Sequence, residues 1–358
     1  MPYPRRAIPP EQWPKHDQLL WAKASEDADP LYEPGGAAHW KPKTQHTVMV
    51  HYGLWLAWLI EVGLLVPDVS PAARATGHHL AQYVQHLGAR GCAPVTIAGC
   101  IRDLREATRV MEPDADLTDI SDLLVRLNSA AEPSRNKRLR VVSSGLLYDA
   151  AIREMNRLHK RRQNSGMRQI ASCYRDALII AFLALRPIRL ANLSSIELDR
   201  HLTKIGDRYW CRFSATETKE DRPLEFPMPE ALTPWLDHYL ATYRPLLLRD
   251  RKRPHLWISI RSTPMVDNSI YCRVAATTKR LIGSAINPHL FRDCAATTIA
   301  ELAPEHIGIV SRILGHSNLA TAEKNYNQAG MISAGRRWHQ ALEKFRGRSG
   351  FGVRDPYE

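Results

Sequence analysis

Apolar residues recur at helical spacing in a series of segments between Thr47 and Leu158. A period of three to four residues predicts amphipathic helices, because it places the apolar side chains on one face. Prolines, glycines and an acidic run separate the segments, as expected at helix ends. The expected helices cover residues 48–66, 71–89, 94–111, 117–128 and 139–158. This part of the chain is therefore expected to form a compact, all-helical domain.

The second half of the chain has a mixed pattern. Residues 176–185 predict an apolar helix, and residues 209–213 and 224–226 predict two short strands joined by a charged turn. Helical segments return after Pro229 and continue to Phe345. The expected fold class is therefore mainly α: a helical domain is followed by a mixed, mostly helical domain with a small antiparallel β-sheet.

Two stretches with weak helical patterns suggest the domain boundaries. Residues 1–44 are rich in proline and tryptophan, which predicts an irregular, partly packed N-terminal extension. Residues 158–168 are strongly basic and have little to bury, which favours a linker. The expected organisation is an extension over residues 1–44, a helical domain with its basic linker over 45–165, and a second domain over 166–358.

The charge balance limits the kind of partner. The 358 residues include 49 Lys and Arg against 37 Asp and Glu, a formal net charge of +12. Such an excess suits a polyanionic partner, although charge alone does not distinguish DNA from RNA or anionic lipid. Residues 48–66 are long enough to be considered as a membrane span, but His51 and Glu61 interrupt them. A core helix is favoured, and no membrane partner is expected.

The cysteines and the N-terminus bear on the cellular compartment. The six cysteines are widely spaced, with neither a Cys-x-x-Cys pair nor a matching histidine set for zinc. This pattern predicts buried thiols in a reducing cytoplasm. Residues 1–14 lack the apolar stretch of a secretory signal, so a cytoplasmic location is expected.

Six side chains in the second half make chemical sense only as a set. They are two arginines, two histidines, a lysine and a tyrosine: Arg189, Lys219, His289, Arg292, His316 and Tyr326. Lys219 lies in the charged turn between the two predicted strands. His289 and Arg292 are three residues apart, so a helix would place them on one face.

These residue types fit phosphoryl transfer to a tyrosine without a metal ion. A phosphodiester attacked in line gains negative charge on its non-bridging oxygens, and guanidinium groups stabilise it by binding two oxygens at once. Tyrosine has a solution pKa of about 10, so it needs a base such as histidine to lose its proton. The departing 5′ oxygen needs a proton, which Lys219 could supply. Neither a cofactor nor a metal is therefore expected.

Four sequence blocks carry a resemblance to a known family. They are Leu-Arg-Pro-Ile-Arg-Leu-Ala-Asn-Leu from Leu185, Thr218-Lys219, His-Leu-Phe-Arg from His289, and Leu-Gly-His from Leu314 through to Tyr326. In this order they resemble the catalytic boxes of the tyrosine recombinase (phage integrase) family. The resemblance is strong over about residues 170–330, and residues 47–160 are more loosely similar to the family's helical core-binding domain.

The resemblance implies a site-specific recombinase or integrase that cleaves and rejoins DNA through a 3′-phosphotyrosine at Tyr326. It implies a two-domain clamp around double-stranded DNA recombination sites, formed by a core-binding domain and a catalytic domain. Four protomers would assemble into a tetramer on two sites and exchange strands through a Holliday junction. The expected role is integration or excision of a mobile element, with an accessory directionality factor as an optional partner and with nucleoid association when the protein is bound to DNA.

Two positions depart from the family's pattern. Asn192 stands three residues after Arg189, where the family often has an acidic residue, so a supporting carboxylate would have to come from elsewhere, for example Asp293. Tyr326 follows ten residues after His316, where nine is common in the family. The extra residue bears on how the tyrosine is delivered rather than on its identity.

Three alternatives stay open at this point. Lys204 lies in a neighbourhood similar to that of Lys219 and is an alternative for the lysine of the set. A type IB topoisomerase would use the same chemistry without pairing two sites. A catalytically silent relative would bind DNA as a regulator. An apparent core-binding domain and a tail beyond Tyr326 argue against the topoisomerase, and the complete set of six side chains argues against the silent relative.

Two basic clusters are candidates for DNA contacts outside the catalytic set. Their position beside the expected linker favours contacts with the phosphate backbone, which would position the enzyme without reading sequence. The cluster residues are Arg135, Lys137, Arg138, Arg140, Lys160, Arg161, Arg162 and Arg168.

Overall fold

The computed structural model describes residues 7–27, 35–131, 140–160 and 166–302, with side chains in the last range described to residue 299. The chain divides into two compact units, Met1–Asn136 and Lys137–Glu358, here called unit 1 and unit 2. Each unit has its own hydrophobic core. The described residues form helices and one three-stranded sheet, which confirms the predicted fold class.

Unit 1 is built from helices. They are α1 (Lys15–Ala24), α2 (Pro42–Glu61), α3 (Pro71–Arg74), α4 (Gly77–Ala89), α5 (Pro94–Met111) and α6 (Thr118–Ala130). Prolines open α2, α3 and α5, where the missing N–H costs nothing. The hydroxyl of Thr76 accepts a hydrogen bond from the backbone N–H of His79 and caps α4. This cap separates α3 from α4 in the segment that the sequence pattern predicts as one helix.

The core of unit 1 is rich in aromatic rings. Trp55 and Trp58 of α2 pack on Tyr83 of α4, with ring centroids 5.0 and 5.2 Å apart. All three residues are at most 3 % exposed, so the rings remove a large apolar area from water. The segment considered as a membrane span is therefore a core helix. No helix in the described part of the chain has both the length and the apolar character needed to cross a bilayer.

The described N-terminal residues, with Trp13 and helix α1, belong to this core, in contrast to the irregular, partly packed extension predicted for residues 1–44. Helix α1 begins directly after Pro14, and Trp13 is only 3 % exposed. Asp17 of α1 accepts hydrogen bonds from Arg74 at 2.5 Å and from the Tyr52 hydroxyl at 2.7 Å. These three side chains are buried, so their paired charges and hydrogen bonds link α1 to α2 and α3. The prolines flank α1 and do not interrupt it.

Unit 2 combines helices with a small sheet. Its elements are α7 (Ser144–His159), α8 (Met167–Leu185), α9 (Leu190–Ser194), β1 (Leu202–Ile205), β2 (Arg208–Phe213), β3 (Leu224–Pro227), α10 (Thr233–His238), α11 (Arg244–Leu248), α12 (Asp267–Ile282) and α13 (Pro288–Leu302). The buried face of α7, with Leu147 and Met155, packs in one core with α8. The connection from α7 to α8 therefore lies within unit 2, and the boundary after Asn136 differs from the one predicted at residue 165.

The sheet is antiparallel, in the order β1-β2-β3. Leu202 pairs with Cys211, and Cys211 pairs with Phe226. Residues opposite one another on neighbouring strands share a face, and this row is buried, so it faces the core of unit 2. Strands β2 and β3 match the two predicted strands, whereas β1 is missing from the prediction.

The cysteines are free, but not all are buried. Cys100, Cys211 and Cys294 are buried, Cys92 and Cys173 are half-buried, and Cys272 is exposed. Ile270 and Val274 form the buried face of α12, and Cys272, which lies between them in sequence, points away from it. The prediction of buried thiols is therefore wrong for Cys272.

Candidate active site

Arg189 lies where α8 gives way to α9, in residues 186–194, here called the arginine segment. Pro187 cannot continue α8, which ends at Leu185, and Arg189 is the extended residue that precedes α9. Ile188 and Leu193 are 5 % and 0 % exposed, so their burial fixes the backbone on both sides of the arginine. The Arg189 side chain is 23 % exposed and can be reached from solvent.

Arg292 reaches the same segment from α13. Its Nη1 donates a hydrogen bond to the carbonyl oxygen of Pro187 at 3.0 Å, although the two residues are 105 apart in sequence. Burial, followed by the nearby positive charge of Arg189, lowers the pKa of Arg292 to about 10. The guanidinium still carries its charge at neutral pH. Two of the predicted catalytic residues therefore meet at one place.

A carboxylate that the sequence analysis missed lies beside these arginines. Glu220 forms an ion pair with Nη2 of Arg189, and its negative charge also acts to raise the pKa of Arg292. Asp293, suggested from the sequence as the supporting carboxylate, acts on Arg292 in the same direction. Adjacency to Lys219 is the sequence signal that could have pointed to Glu220.

Lys219 lies in the connection between β2 and β3, residues 214–223, here called the lysine turn. The turn begins with a short 3-10 helix, Ala215–Glu217, which Ser214 caps. The Thr218 hydroxyl donates a hydrogen bond to the carbonyl oxygen of Arg222 at 2.7 Å and so closes the turn. Lys219 itself is exposed. The turn thus presents a long cationic side chain from a structured backbone.

Lys204, the alternative lysine, has a different setting. It lies on β1, and its Nζ donates hydrogen bonds to both carboxylate oxygens of Asp237, at 3.0 and 2.8 Å. It also lies 5.5 Å from the ring centroid of Tyr209. Lys204 is on the same face of the sheet as Leu202, and these contacts pair it with a carboxylate of α10. Lys219 stays the predicted lysine of the site.

The remaining predicted catalytic residues are only partly described. His289 is exposed in the first turn of α13, and Arg292 follows it one turn later. Asn287 begins this helix by accepting a hydrogen bond from the backbone N–H of Leu290 at 3.0 Å. His316 and Tyr326 lie outside the described residues.

The structure also describes only some residues of the two basic clusters. Arg140 donates a hydrogen bond to the carbonyl oxygen of Ala285, and Arg168 donates one to that of Ile260, both within unit 2. Lys160 is exposed at the end of α7. Five members lie outside the described residues: Arg135, Lys137, Arg138, Arg161 and Arg162. No three histidine, cysteine or acidic side chains in the described ranges come together as a metal site requires.

Comparison with known proteins begins with a family model. Residues 151–331, just over half of the chain, match the model described as the phage integrase family. Among curated proteins, the tyrosine recombinase XerD of Staphylococcus aureus is 25 % identical over 151 residues, which are 42 % of this chain and 49 % of that protein. XerD of Staphylococcus saprophyticus is 24 % identical over 151 residues, with the same coverage. The chain thus spans about half the length of the curated relatives it matches.

Solved structures with a similar fold extend over more of the chain. The Tn1549 transposon integrase, in complex with transposon right end DNA, has a TM-score of 0.57 at 15 % identity and covers 91 % of this chain and 99 % of that one. The XerH site-specific recombinase, bound to a palindromic difH substrate, has a TM-score of 0.54 at 13 % identity and covers 95 % of this chain and 98 % of that one. At these identities the likeness concerns the fold. With the family match over residues 151–331, we conclude that the chain belongs to the phage integrase family of tyrosine recombinases.

Proposed function

We propose that this protein is a site-specific DNA recombinase that cleaves and rejoins DNA through a covalent bond between Tyr326 and a 3′ phosphate. The observation that carries the proposal is the meeting of Arg189 and Arg292 at the arginine segment. Two neighbouring guanidinium groups repel each other, so the arrangement favours an anion between or beside them. Glu220 offsets part of this charge, and a phosphodiester would offset more.

The proposed reaction uses only side chains of the protein and the DNA, and it needs no cofactor. The hydroxyl oxygen of Tyr326 attacks the scissile phosphorus, gives its proton to a nearby histidine, and the bond from phosphorus to the 5′ oxygen breaks. Lys219 donates a proton to the departing 5′ oxygen, while Arg189 and Arg292 stabilise the charge on the non-bridging oxygens. The products are a 3′-phosphotyrosine and a free 5′ hydroxyl. Rejoining is the reverse reaction, with a 5′ hydroxyl as the attacking group.

Duplex DNA is the proposed partner. The net charge of +12 suits a polyanion. The Tn1549 integrase, which shares the fold, is solved in complex with DNA, and XerH is solved bound to a palindromic difH substrate. This likeness favours DNA over another polyanion as the partner. We extend the proposal to a tetramer acting on two recombination sites and to integration or excision of a mobile element, and we propose the cytoplasm, at the nucleoid, as the place of action.

A strand-exchange assay tests this function. Two duplexes of different length, taken from the DNA that flanks the coding region and labelled differently, are incubated with the protein in EDTA. The proposal predicts products that carry one arm of each duplex. A protein that relaxes a supercoiled plasmid but never joins the two labels would be a topoisomerase, and one that binds without cleaving would be a regulator. Either result would contradict the proposal.

A further inference from the structure

Asn192 connects the arginine segment to the lysine turn. It lies three residues after Arg189 in α9, and its side chain is buried, with 4 % of the residue exposed. Its Nδ2 donates a hydrogen bond to the backbone carbonyl oxygen of Glu217 at 2.9 Å. Glu217 is two residues before Lys219. The buried amide of Asn192 therefore forms a hydrogen bond that fixes the backbone close to Lys219.

The accepting residue is itself firmly held. The Glu217 carboxylate accepts hydrogen bonds from the backbone N–H of Ser214 at 2.9 Å and from the Ser214 hydroxyl at 2.8 Å. The Nδ1 of His201 accepts a hydrogen bond from the backbone N–H of Glu197, so the ring proton is on Nε2, which donates to Glu217 at 3.0 Å. The hydrogen bonds from His201 and Ser214 lower the pKa of Glu217 to about 2, so the carboxylate is charged at neutral pH.

The turn is tied to the arginine segment on the other side of Lys219 as well. Glu220, the next residue, forms its ion pair with Arg189. The two contacts, at Glu217 and Glu220, bracket the lysine. A turn held at both ends carries its exposed side chain with less freedom than a turn held by its strands alone.

We propose that Asn192 is a positioning residue, which holds the lysine turn against the arginine segment so that Lys219 and Arg189 act on the same phosphate. This inference rests on the proposed function. It also gives a reason for the departure from the family's pattern: an acidic side chain at position 192 has no hydrogen to donate, and it would place a negative charge against the Glu217 carbonyl oxygen. The hydrogen bond to the Glu217 carbonyl oxygen therefore requires the side-chain amide of Asn192.

The test uses a DNA substrate whose leaving group hardly needs a proton, because sulfur replaces the bridging 5′ oxygen of the scissile phosphate. Asn192→Asp and Asn192→Ala should slow cleavage of normal DNA by roughly tenfold or more, since general-acid catalysis depends on a well-placed proton donor. Both variants should bind DNA as the original protein does and recover most of their cleavage rate on the sulfur substrate. Lys219→Ala is the benchmark for this pattern of loss and recovery.

Ser195→Ala is the matched control. The Ser195 hydroxyl donates to the carbonyl oxygen of Asn192 at 3.1 Å, so the variant alters α9 without touching the lysine turn. It should cleave both substrates normally. Variants of Asn192 that cleave normal DNA at the original rate would overturn the inference. A loss that is equally large on the sulfur substrate would overturn it too, because Asn192 would then act through something other than Lys219.

A second variant covers the case in which the Asn192 variants do not fold. Glu217→Ala keeps the carbonyl oxygen that accepts from Asn192 but removes the carboxylate contacts with Ser214 and His201 that hold this residue in place. The Glu217 side chain is 24 % exposed, so its removal leaves no deep cavity. The same loss on normal DNA and the same recovery on the sulfur substrate are expected, and normal cleavage would contradict the inference. Failure of the proposed function itself is recognised separately, because the unaltered protein would then form no covalent adduct on either substrate.

Discussion

At the scale of single residues, Arg292 shows how burial and charge act together. Its guanidinium donates to the Pro187 carbonyl oxygen and lies close to the charge of Arg189, and burial is the larger cause of its lowered pKa. A lysine at this position would lose its proton more readily, because its solution pKa is about 10.4 before any burial. Arginine is therefore suited to keep a charge in this setting.

Replacing Arg292 with lysine should consequently be costly. Arg292→Lys removes the planar fork that can bind a backbone carbonyl and a phosphate oxygen at once. We expect single-turnover cleavage to fall by about a hundredfold or more, with DNA binding nearly retained. The sulfur substrate should not restore the rate, in contrast to Lys219→Ala, because the charge on the non-bridging oxygens remains. A loss of less than about tenfold would contradict the assigned role.

The sequence points to candidate residues but not to their contacts. Local motifs single out Arg189, Lys219 and Arg292 as candidates. The Arg189–Glu220 ion pair and the Asn192 contact with Glu217 are not found, since they depend on how a turn packs against a segment 25 or more residues away. Such contacts have no periodic signature.

At the scale of elements, most helices of unit 1 and unit 2 are predicted from periodicity, whereas α1, α9 and β1 are not. Helix α1 is hidden among prolines, although none of them falls inside it. Strand β1 has only four residues and shows little alternation. Gly206 and Asp207 join it to β2, and Gly206 has a φ of +59°. A two-residue Gly-Asp connection is a hairpin signal, so this pair could have revealed β1.

A pH-dependent contact joins α2 and α5 in unit 1. The Nδ1 of His51 lies 2.6 Å from a carboxylate oxygen of Asp103, and this hydrogen bond is the largest cause that raises the pKa of His51 to about 9. The folded state thus holds the proton more tightly than the unfolded chain, whose histidine pKa is about 6.5. The stabilisation is complete below pH about 6.5 and is lost as the pH rises towards about 9.

His51→Gln tests this contact, because glutamine keeps a polar side chain but does not titrate. The free energy of unfolding of the original protein should exceed that of the variant by about 1 to 3 kcal/mol at pH 6, and the difference should shrink towards zero by pH about 9.5. Urea unfolding across this pH range measures it. A difference that stays constant with pH would show that His51 does not titrate in the contact.

At the scale of the whole molecule, the chain divides after Asn136, whereas the sequence pattern predicts a division at residue 165. The family model begins at residue 151, inside α7, and α7 packs in the core of unit 2. The basic run after Leu158 looks like a linker because it is polar. Sequence cannot show that the helices on its two sides pack together, since both patterns also suit helices in separate domains.

The basic residues at this end of α7 lead to a prediction about DNA affinity. Lys160 is exposed, whereas Arg168 donates to the Ile260 carbonyl oxygen. Replacing Lys160, Arg161 and Arg162 by alanine should weaken binding to all sequences alike. The slope of the logarithm of affinity against the logarithm of salt concentration should flatten by about one unit per lost phosphate contact. Arg168→Ala is the comparison, and we expect a smaller change. An unchanged slope in the triple variant would place these charges away from the DNA.

The covalent bond to Tyr326 is the central claim, and trapping it is the most direct measurement. A nicked suicide substrate lets the cleaved strand diffuse away, so that rejoining fails and the protein stays attached to DNA. The account predicts an adduct that survives denaturant, with the DNA mapped to Tyr326 by mass spectrometry, and no adduct from Tyr326→Phe. An undiminished adduct from Tyr326→Phe would contradict the account.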